Sequence, residues 1–233
     1  MQGYKKILDI EGFAVIRDVY KSDEINKLID LLNKLEPGKP TFRKTKDLFA
    51  IRQFLKEVPG AASIVFNKLL KEVLRSVAGD FFIVKSIYFD KPPESNWFVA
   101  WHQDLTISVK SKVDIEGFGP WTVKQDQYGV RPPVDMLEKN LTIRIHLDNT
   151  DEQNGALKVI PGSHLKGVIR NEDVGKREAV SVNVPAGGIM LMKPLLMHTS
   201  NRTTNNSQRR VIHIEFSNQQ LPLPLEWSEL QVV

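Results

Sequence analysis

The sequence predicts a mainly β fold, with a jelly-roll core and helices packed on one side of it. About eight short segments rich in β-branched and aromatic residues follow residue 80, and turn signals separate them. Two amphipathic helical patterns precede these segments. The chain has 233 residues, of which 41% are hydrophobic. This length and composition suit a single domain, residues 1–233, with a substantial core.

Residues 1–80 are predicted to form a helical support for the core. Ser22 is suited to cap a helix whose apolar residues recur at helical spacing as far as Leu35. Pro59 is suited to the first turn of a second helix, which Gly79 should end. Because both helices are amphipathic, we expect each to lie on a sheet.

Residues 81–217 are predicted to form the jelly-roll core. Its strands are predicted at residues 81–89, 99–109, 141–147, 156–160, 179–184, 188–192, 195–200 and 209–216, after a short strand at 12–16. A mixed insertion at residues 111–140 interrupts this series. Loops of that length are uncommon unless they are functional or disordered, so we expect the insertion to be a lid.

One stretch of the second core strand, Trp101-His102-Gln103-Asp104, carries a candidate metal site. Side chains alternate faces along a strand, so His102 and Asp104 should project from the same side. His198 is the candidate for a third ligand, because two histidines and one carboxylate form the facial triad of non-haem Fe(II) oxygenases. The alternative is that one of the chain's five histidines lies beside an acid by chance.

The chain contains no cysteine, which excludes disulfides, thiolate zinc sites and iron–sulfur clusters. A metal must then be bound by histidine, carboxylate or backbone oxygen, a set that suits iron or manganese. Residues 1–13 contain no apolar run long enough for a signal peptide or a membrane span. Together these observations favour a cytoplasmic protein without a membrane partner.

The formal net charge is +4, from 32 basic and 28 acidic residues. The basic residues are scattered among the acids, which is typical of a solvated surface and not of a nucleic-acid-binding footprint. We therefore expect no nucleic-acid partner. The charge pattern leaves the oligomeric state open.

Several motifs follow one another in a specific order: Lys91-Pro92-Pro93, Trp101-His102-Gln103-Asp104-Leu105, Asn154-Gly155-Ala156-Leu157-Lys158-Val159-Ile160-Pro161-Gly162-Ser163-His164, Pro194-Leu195-Leu196-Met197-His198-Thr199-Ser200 and Arg209. Together they resemble the phytanoyl-CoA dioxygenase family of Fe(II)/2-oxoglutarate-dependent oxygenases. The resemblance is strong over residues 81–217. It implies that the core is a double-stranded β-helix, the jelly-roll or cupin-like fold.

The resemblance implies a role for each matching residue. His102, Asp104 and His198 would bind iron, and Asp104 favours hydroxylation over halogenation because related halogenases lack this carboxylate. Arg209 would bind the distal carboxylate of 2-oxoglutarate, and Ser200 would hydrogen-bond to the same group. A guanidinium suits this role because it binds a carboxylate through two parallel hydrogen bonds.

The implied reaction uses Fe(II), 2-oxoglutarate and O2, and it hydroxylates a small organic substrate with release of succinate and CO2. Two other functions are alternatives: a non-catalytic jelly-roll metal-binding or sensing protein, and an oxygenase that acts on nucleic acid. The intact ligand set argues against the first alternative. The second alternative predicts that the protein binds nucleic acid with an affinity that falls steeply as the salt concentration rises.

Arg144 departs from the resemblance, because family members often carry a bulky aromatic residue there. It should face the pocket, and a buried arginine needs a partner. We expect it to meet a carboxylate of 2-oxoglutarate or an anionic substrate, with an ion pair to Asp148 or Glu215 as an equal alternative. Arg210 is expected to be a surface arginine, since it faces away from its neighbour Arg209.

Overall fold

The computed structural model describes residues 2–36, 38–46, 49–77, 79–95, 97–124, 127–170 and 178–232. Strands dominate these ranges, and most of the helical residues precede the first long core strand. No helix in the described ranges is long and apolar enough to cross a membrane.

The described helices are α1 Gln2–Glu11, α2 Ser22–Asn33, α3 Phe54–Glu57, α4 Pro59–Val65, α5 Lys68–Val77 and α6 Val134–Lys139. The described strands are β1 Phe13–Ile16, β2 Phe42–Lys44, β3 Phe49–Arg52, β4 Phe82–Lys91, β5 Val99–His102, β6 Ile107–Val109, β7 Trp121–Lys124, β8 Gln127–Val130, β9 Leu141–His146, β10 Leu157–Val159, β11 Val180–Val182, β12 Ile189–Met192, β13 His198–Ser200, β14 Arg209–Ser217 and β15 Gln231–Val232. Two short 3₁₀ helices, Glu152–Asn154 and Ser163–Lys166, lie in the turns around β10.

Two antiparallel sheets face each other across a cavity. The major sheet has the strand order β1-β12-β9-β14-β4-β3-β2, with β15 also paired to β4, and the minor sheet has the order β11-β10-β13-β5. A third sheet has the order β6-β8-β7. Side chains from both the major and the minor sheet line one cavity, as in a jelly roll. The prediction of a mainly β jelly-roll core with flanking helices is therefore confirmed.

The major sheet has two different faces, because side chains alternate along each strand. The face that we call the apolar face is formed by fully or almost fully buried side chains that include Ile51, Tyr88, Ile143, Ile145, Ile212 and Ile214. These side chains belong to one core cluster with Leu28 of α2, Val65 of α4 and Leu70 of α5. The opposite face, which we call the cavity face, carries Lys85, Arg144, Arg209, His213 and Glu215.

The second predicted helix, residues 59–79, is interrupted at Asn67. α4 and α5 lie on either side of this residue. Its Oδ1 accepts a hydrogen bond from the backbone N–H of Leu70 at 2.8 Å, and its amide donates to the carbonyl of Val19 at 2.9 Å. The apolar spacing misses the interruption because both helices bury side chains in the same core.

The start of α2 also differs from the prediction. Lys21, and not Ser22, is the N-cap residue. Its backbone N–H donates to the carboxylate of Glu24 at 2.8 Å, so the first turn is stabilised by the acid three residues on. The helix ends at Asn33, before Leu35.

The predicted strand 99–109 is divided between two sheets. β5 ends at His102 in the minor sheet, β6 begins at Ile107 in the third sheet, and residues 103–106 are irregular. The prediction that one continuous strand directs His102 and Asp104 to the same side is therefore wrong, although the two side chains still lie together. The strand breaks because the chain crosses from one sheet to another. No glycine or proline in the sequence marks this break. The predicted strand 195–200 is likewise shorter, because β13 begins at His198.

The insertion 111–140 contains β7, β8 and α6. β8 pairs with both β6 and β7, so the insertion supplies two of the three strands of the third sheet. Gln125 and Asp126 lie outside the described residues. The function of the insertion as a lid stays a prediction, as do the single domain and its limits at 1–80 and 81–217.

Candidate metal centre

Pairing of β5 with β13 brings two distant histidines together. His102 is the Cα partner of His198 across this antiparallel pair. The centroids of the two imidazole rings lie 4.1 Å apart. Directly opposite side chains on one face of a sheet are close neighbours. The register of the minor sheet therefore places a residue of the C-terminal half beside the His-x-Asp segment.

Asp104 reaches the same place from the irregular segment after β5. Its backbone N–H donates to the carbonyl of Pro194 at 2.9 Å. The side chain of the neighbouring Gln103 is buried and donates to the carbonyls of Gly167 and Leu195, at 2.8 and 2.6 Å. These hydrogen bonds fix the segment in a conformation that directs the Asp104 carboxylate toward the two histidines.

The three predicted ligand side chains converge. Nε2 of His102 lies 3.9 Å from Oδ1 of Asp104, and Nε2 of His198 lies 3.9 Å from Oδ2. Each of the three side chains has a ligand atom within 4.8 Å of those of the other two. In the part of the chain that the structure describes, this is the one cluster of three or more such residues that could hold a metal ion.

Both histidines direct Nε2 at the cluster because Nδ1 is hydrogen-bonded to the backbone. Nδ1 of His102 lies 2.8 Å from the carbonyl oxygen of Ala100, and Nδ1 of His198 lies 2.9 Å from that of Leu196. A carbonyl oxygen only accepts, so Nδ1 carries the proton and Nε2 keeps its lone pair for a metal. Hydrogen bonds of this kind fix the orientation of ligand rings.

The charge state of the cluster suits a cation. Burial raises the pKa of Asp104, but nearby His198, His213 and Lys85 lower it more, and the pKa falls to about 2. Burial lowers the pKa of His198 to about 4. Oδ2 of Asp104 is buried and has no hydrogen-bond partner among the described residues. A carboxylate and neutral imidazoles, with one oxygen unsatisfied, fit a divalent metal such as iron(II).

Arg209 and Ser200 line the same cavity as the cluster. Nη1 of Arg209 and Oγ of Ser200 both donate to the carbonyl oxygen of Gly155, at 2.7 and 2.9 Å. Burial and then the charge of Arg144 lower the pKa of Arg209 to about 9, so it stays protonated at neutral pH. Its Nε is buried without a hydrogen-bond partner in the described ranges. The guanidinium therefore keeps a donor for an anion.

Gly155 explains the Asn-Gly part of the motif. Its φ is +83°, and a Cβ here would lie 2.7 Å from the carbonyl oxygen of Asn201 and 2.7 Å from Nζ of Lys91. Only glycine combines this left-handed conformation with so close an approach. The motif thus keeps the carbonyl of Gly155 beside Arg209 and Ser200.

Lys91, the first residue of the Lys91-Pro92-Pro93 motif, lies beside the site, and the sequence analysis gave it no role. It is fully buried, its Nζ donates to the carbonyl of Asn201, and it lies 5.8 Å from the centroid of the Trp97 ring. Burial and then Arg209 lower the pKa of Lys91 to about 7. Lys91 is the Cα partner of Arg209 in the major sheet. The sequence could have indicated the position of Lys91 only if the register of β4 against β14 had been known.

Arg144 faces the cavity as predicted, but its partner is a histidine. Its Nη1 donates to Nδ1 of His213 at 3.2 Å, and Nε2 of His213 lies 3.1 Å from Oε1 of Glu215. Lys85 forms the ion pair with Glu215, at 2.7 Å. Nε of Arg144 is buried and, among the described residues, has no hydrogen-bond partner. The predicted ion pair of Arg144 with Glu215 or Asp148 is therefore not the arrangement observed.

Asp148, the other acid considered for Arg144, binds Arg210. Nη2 of Arg210 donates to Oδ1 of Asp148 at 2.6 Å, and Nε donates to Oδ2 at 2.9 Å. The expectation that Arg210 is a surface arginine is met only in part, because the side chain is half-buried in this two-pronged ion pair. Arg210 does face away from Arg209, as the alternation along β14 requires.

The cavity that contains the cluster has a volume of about 170 Å³, and we call it the metal cavity. The three cationic side chains that line it are Lys85, Arg144 and Arg209, and the acids among its described lining residues are Asp104 and Glu215. A bound divalent cation would increase the positive charge further. The metal cavity is therefore suited to an anionic ligand that reaches both the metal and a guanidinium.

Comparison with known proteins agrees with this geometry. The family model for phytanoyl-CoA dioxygenase (PhyH) matches residues 8–211. A probable alpha-ketoglutarate-dependent hypophosphite dioxygenase from Stutzerimonas stutzeri is 22% identical over an alignment 240 positions long, which covers 89% of this chain and 75% of that protein. An uncharacterized protein from Mycobacterium tuberculosis is 23% identical over 228 residues, with 90% of this chain and 72% of that protein covered.

Solved structures share the fold. EctD from S. alaskensis with 2-oxoglutarate and 5-hydroxyectoine has a TM-score of 0.69 at 20% identity, over 91% of this chain and 74% of that chain. HygX from Streptomyces hygroscopicus with nickel, 2-oxoglutarate and hygromycin B has a TM-score of 0.67 at 17% identity, over 93% and 87%. Since the family model spans most of the sequence, the chain belongs to the phytanoyl-CoA dioxygenase family and is a 2-oxoglutarate-dependent non-haem iron dioxygenase.

Proposed function

We propose that this dioxygenase hydroxylates a C–H bond of a small organic molecule, with conversion of 2-oxoglutarate to succinate and CO2. One observation carries the proposal. A single cavity combines the three-residue ligand cluster with two buried arginines whose Nε atoms have no partner among the described residues. A ligand that chelates a metal and ends in a carboxylate matches both features.

In this proposal His102, Asp104 and His198 hold Fe(II). Iron(II) with 2-oxoglutarate supplies, when bound, the oxidising chemistry that inserts an oxygen atom of O2 into the substrate. The side chains of the protein orient the metal ligands and set their charge. The backbone carbonyls of Ala100 and Leu196 hold both imidazoles in the tautomer that binds a metal through Nε2. The nearby histidines and Lys85 hold the pKa of Asp104 at about 2, so its carboxylate is ionised at neutral pH.

Arg209, Ser200 and Arg144 are proposed to bind the carboxylates of 2-oxoglutarate. The charge of Arg144 lowers the pKa of Arg209, which means that the two guanidiniums repel each other. A dianion in the metal cavity relieves this repulsion and supplies acceptors for both unsatisfied Nε atoms. Arg209 and Ser200 share one acceptor, the carbonyl of Gly155, so they are near enough to each other to bind the same carboxylate.

Anaerobic reconstitution with Fe(II) and 2-oxoglutarate, followed by addition of O2, tests the proposal. We expect succinate to form together with a hydroxylated product when a library of small metabolites is screened. An Asp104→Ala variant prepared in parallel should form no succinate. If the wild-type protein binds iron and 2-oxoglutarate but yields no succinate with any candidate, the non-catalytic sensing function replaces this proposal.

A further inference from the structure

A second cavity, of about 210 Å³, adjoins the metal cavity, and we call it the outer chamber. Lys85, Ile87, Phe89 and Trp97 line both cavities, so the two are neighbours along the cavity face of the major sheet. β2 and β3 contribute to one wall of the outer chamber, and the third sheet contributes to the other. A molecule in the outer chamber therefore has direct access to the metal cavity.

Strand register places two arginines on the outer-chamber wall. Arg52 of β3 is the Cα partner of Ile87 in β4, and Ile87 is the partner of His213 in β14. This cross-strand row continues to Arg144 in β9. One row of side chains thus leads from Arg52 in the outer chamber to Arg144 in the metal cavity. Arg43 of β2 lies on the same face two residues along, in the row that contains Ala50 and Phe89.

The outer chamber is strongly cationic. Arg43, Arg52, Lys85 and Lys124 line it, and no aspartate or glutamate is among its described lining residues. Burial and then the charge of Arg43 lower the pKa of Arg52, so these two guanidiniums are near enough to repel each other. A concave surface lined by one sign of charge concentrates ligands of the opposite sign.

The remaining wall of the outer chamber is aromatic and hydroxylic. Phe89 and Trp97 lie on the metal-cavity side with ring centroids 6.0 Å apart, and Tyr128 of β8 lines the third-sheet side. Thr106 and Ser108 add hydroxyl groups. An apolar surface beside grouped cations matches a molecule with an organic body and one anionic end.

We propose that the outer chamber binds the prime substrate through a carboxylate or phosphonate group held by Arg43 and Lys124, with its organic body against Phe89 and Trp97. The inference rests on the proposed function, because it places the substrate carbon next to the metal cavity where oxidation would occur. Both kinds of anionic group offer the paired oxygens that a guanidinium binds through two hydrogen bonds. The positive charge of the chamber selects for the anion, and its volume selects for a small molecule.

Three probes of similar size test the inference: benzoate, phenylphosphonate and the neutral benzamide. Each is titrated calorimetrically, without oxygen, into protein loaded with Fe(II) and saturated with 2-oxoglutarate. Saturation matters because it fills the anion site in the metal cavity, so that the probes report on the outer chamber. We expect at least one anion to bind about tenfold or more tightly than benzamide, and this preference to shrink with added salt. The stronger anion identifies the class of substrate.

A double variant, Arg43→Gln with Lys124→Gln, tests whether these two side chains bind the anionic group. Both side chains are exposed, so the fold should be unaffected. We expect the affinity for the preferred anion to fall about tenfold, because charge-assisted hydrogen bonds are lost, while benzamide binding stays unchanged. Lys44→Gln is the matched control, since Lys44 is the exposed neighbour of Arg43 in β2 and does not line the outer chamber.

The outcomes separate this inference from the proposed function. If neither anion binds more tightly than benzamide, or if the double variant weakens anion binding no more than Lys44→Gln does, the outer-chamber inference is wrong. Iron and 2-oxoglutarate binding would then still support the proposed function. If the protein binds no iron or no 2-oxoglutarate, the proposed function fails first, and any anion preference measured without them describes a site that is not a substrate site.

Discussion

Two neighbouring cross-strand rows of the major sheet lie one residue apart along each strand. Their side chains point to opposite faces and differ in polarity. One row, on the apolar face, consists of Ile51, Tyr88, Ile212, Ile145 and Ile189. The next row, on the cavity face, consists of Arg52, Ile87, His213, Arg144 and Met190. Both rows are largely buried. The extent of burial therefore does not distinguish the core of this protein from its site. The presence of buried polar and charged side chains does.

The comparison teaches that the two faces are stabilised differently. The apolar face removes aliphatic surface from water as it packs against the helices. The cavity face holds charges that interact through hydrogen bonds and one ion pair, and several of its polar atoms have no partner among the described residues. Polar groups that are left unsatisfied in this way lower the stability of the fold, but they remain available to bind a ligand. Substitutions on the apolar face should thus affect folding, whereas substitutions of cavity residues outside the Lys85–Glu215 ion pair should mainly affect binding.

The largest effect is expected for the metal ligands. His102→Ala or Asp104→Ala should reduce iron(II) affinity by more than about 100-fold, beyond what loss of a supporting group causes, while the melting temperature of the metal-free protein stays near that of the wild type. Anaerobic calorimetry measures the affinity, and Asp135→Ala, an exposed acid in α6, is the control. Wild-type iron affinity in either ligand variant would contradict the assignment.

The opposite result is expected on the apolar face. Ile145→Ala should reduce the free energy of unfolding by about 2–5 kcal/mol, because it leaves a cavity in a fully buried row. Iron affinity of the folded protein should not change. Denaturant unfolding provides the measurement, and Ile10→Ala, at a half-exposed isoleucine of α1, should cost less than about 0.5 kcal/mol. Equal effects of the two substitutions would remove the distinction between the faces.

The ion pair on the cavity face should behave as a coupled unit. Lys85→Met should lower the free energy of unfolding by about 3 kcal/mol at pH 7, because it leaves Glu215 charged and buried. Lys85→Met combined with Glu215→Leu should recover most of this loss. A double variant as unstable as the single one, in denaturant unfolding, would show that the pair is not coupled.

The pH dependence of this ion pair follows from the pKa of Glu215 in the unsubstituted protein. Burial raises this pKa, but Lys85 and His213 lower it more, so it lies below the ordinary value. The contribution of the ionised pair to stability is therefore present above the ordinary glutamate pKa of about 4.3, and it is lost as the pH falls through the folded-state pKa. The destabilisation caused by Lys85→Met should accordingly shrink below about pH 4 when unfolding is repeated there.

Arg209 and Arg210 offer a comparison within one strand. Arg209→Ala should weaken 2-oxoglutarate binding about 100-fold, because a two-pronged charged hydrogen bond is lost, and it should spare iron binding. Arg210→Ala should instead destabilise the fold through loss of its ion pair with Asp148, with 2-oxoglutarate affinity unchanged. Calorimetry on iron-loaded protein decides the matter, and equal cosubstrate affinity in Arg209→Ala and wild type would refute the role of Arg209.

The smallest effect is expected for Arg144→Gln. Glutamine keeps a hydrogen-bond donor toward His213 but removes the charge, so 2-oxoglutarate binding should weaken about tenfold, within the range of one charge-assisted hydrogen bond. The same titration measures it. An unchanged affinity would show that Arg144 does not bind 2-oxoglutarate.

Local signals were sufficient for the fold class and for the candidate ligands. Short strands separated by turns, and amphipathic helices before them, depend on residues close in sequence. The motifs around His102, Asp104, His198 and Arg209 carried the resemblance to the family, which the family model supports over residues 8–211. Apolar spacing was not sufficient to show the interruption at Asn67, since both helices bury side chains in the same core.

The sequence by itself determined that a jelly roll would form and which side chains were available for chemistry. The tertiary structure alone decided which of them meet. The pairing of β5 with β13 joins His102 to His198, the register of β4 against β14 places Lys91 beside Arg209, and the crossing between sheets ends the strand before Asp104. The physical reason is that strand register depends on long-range packing of whole sheets, which no local pattern of residues encodes.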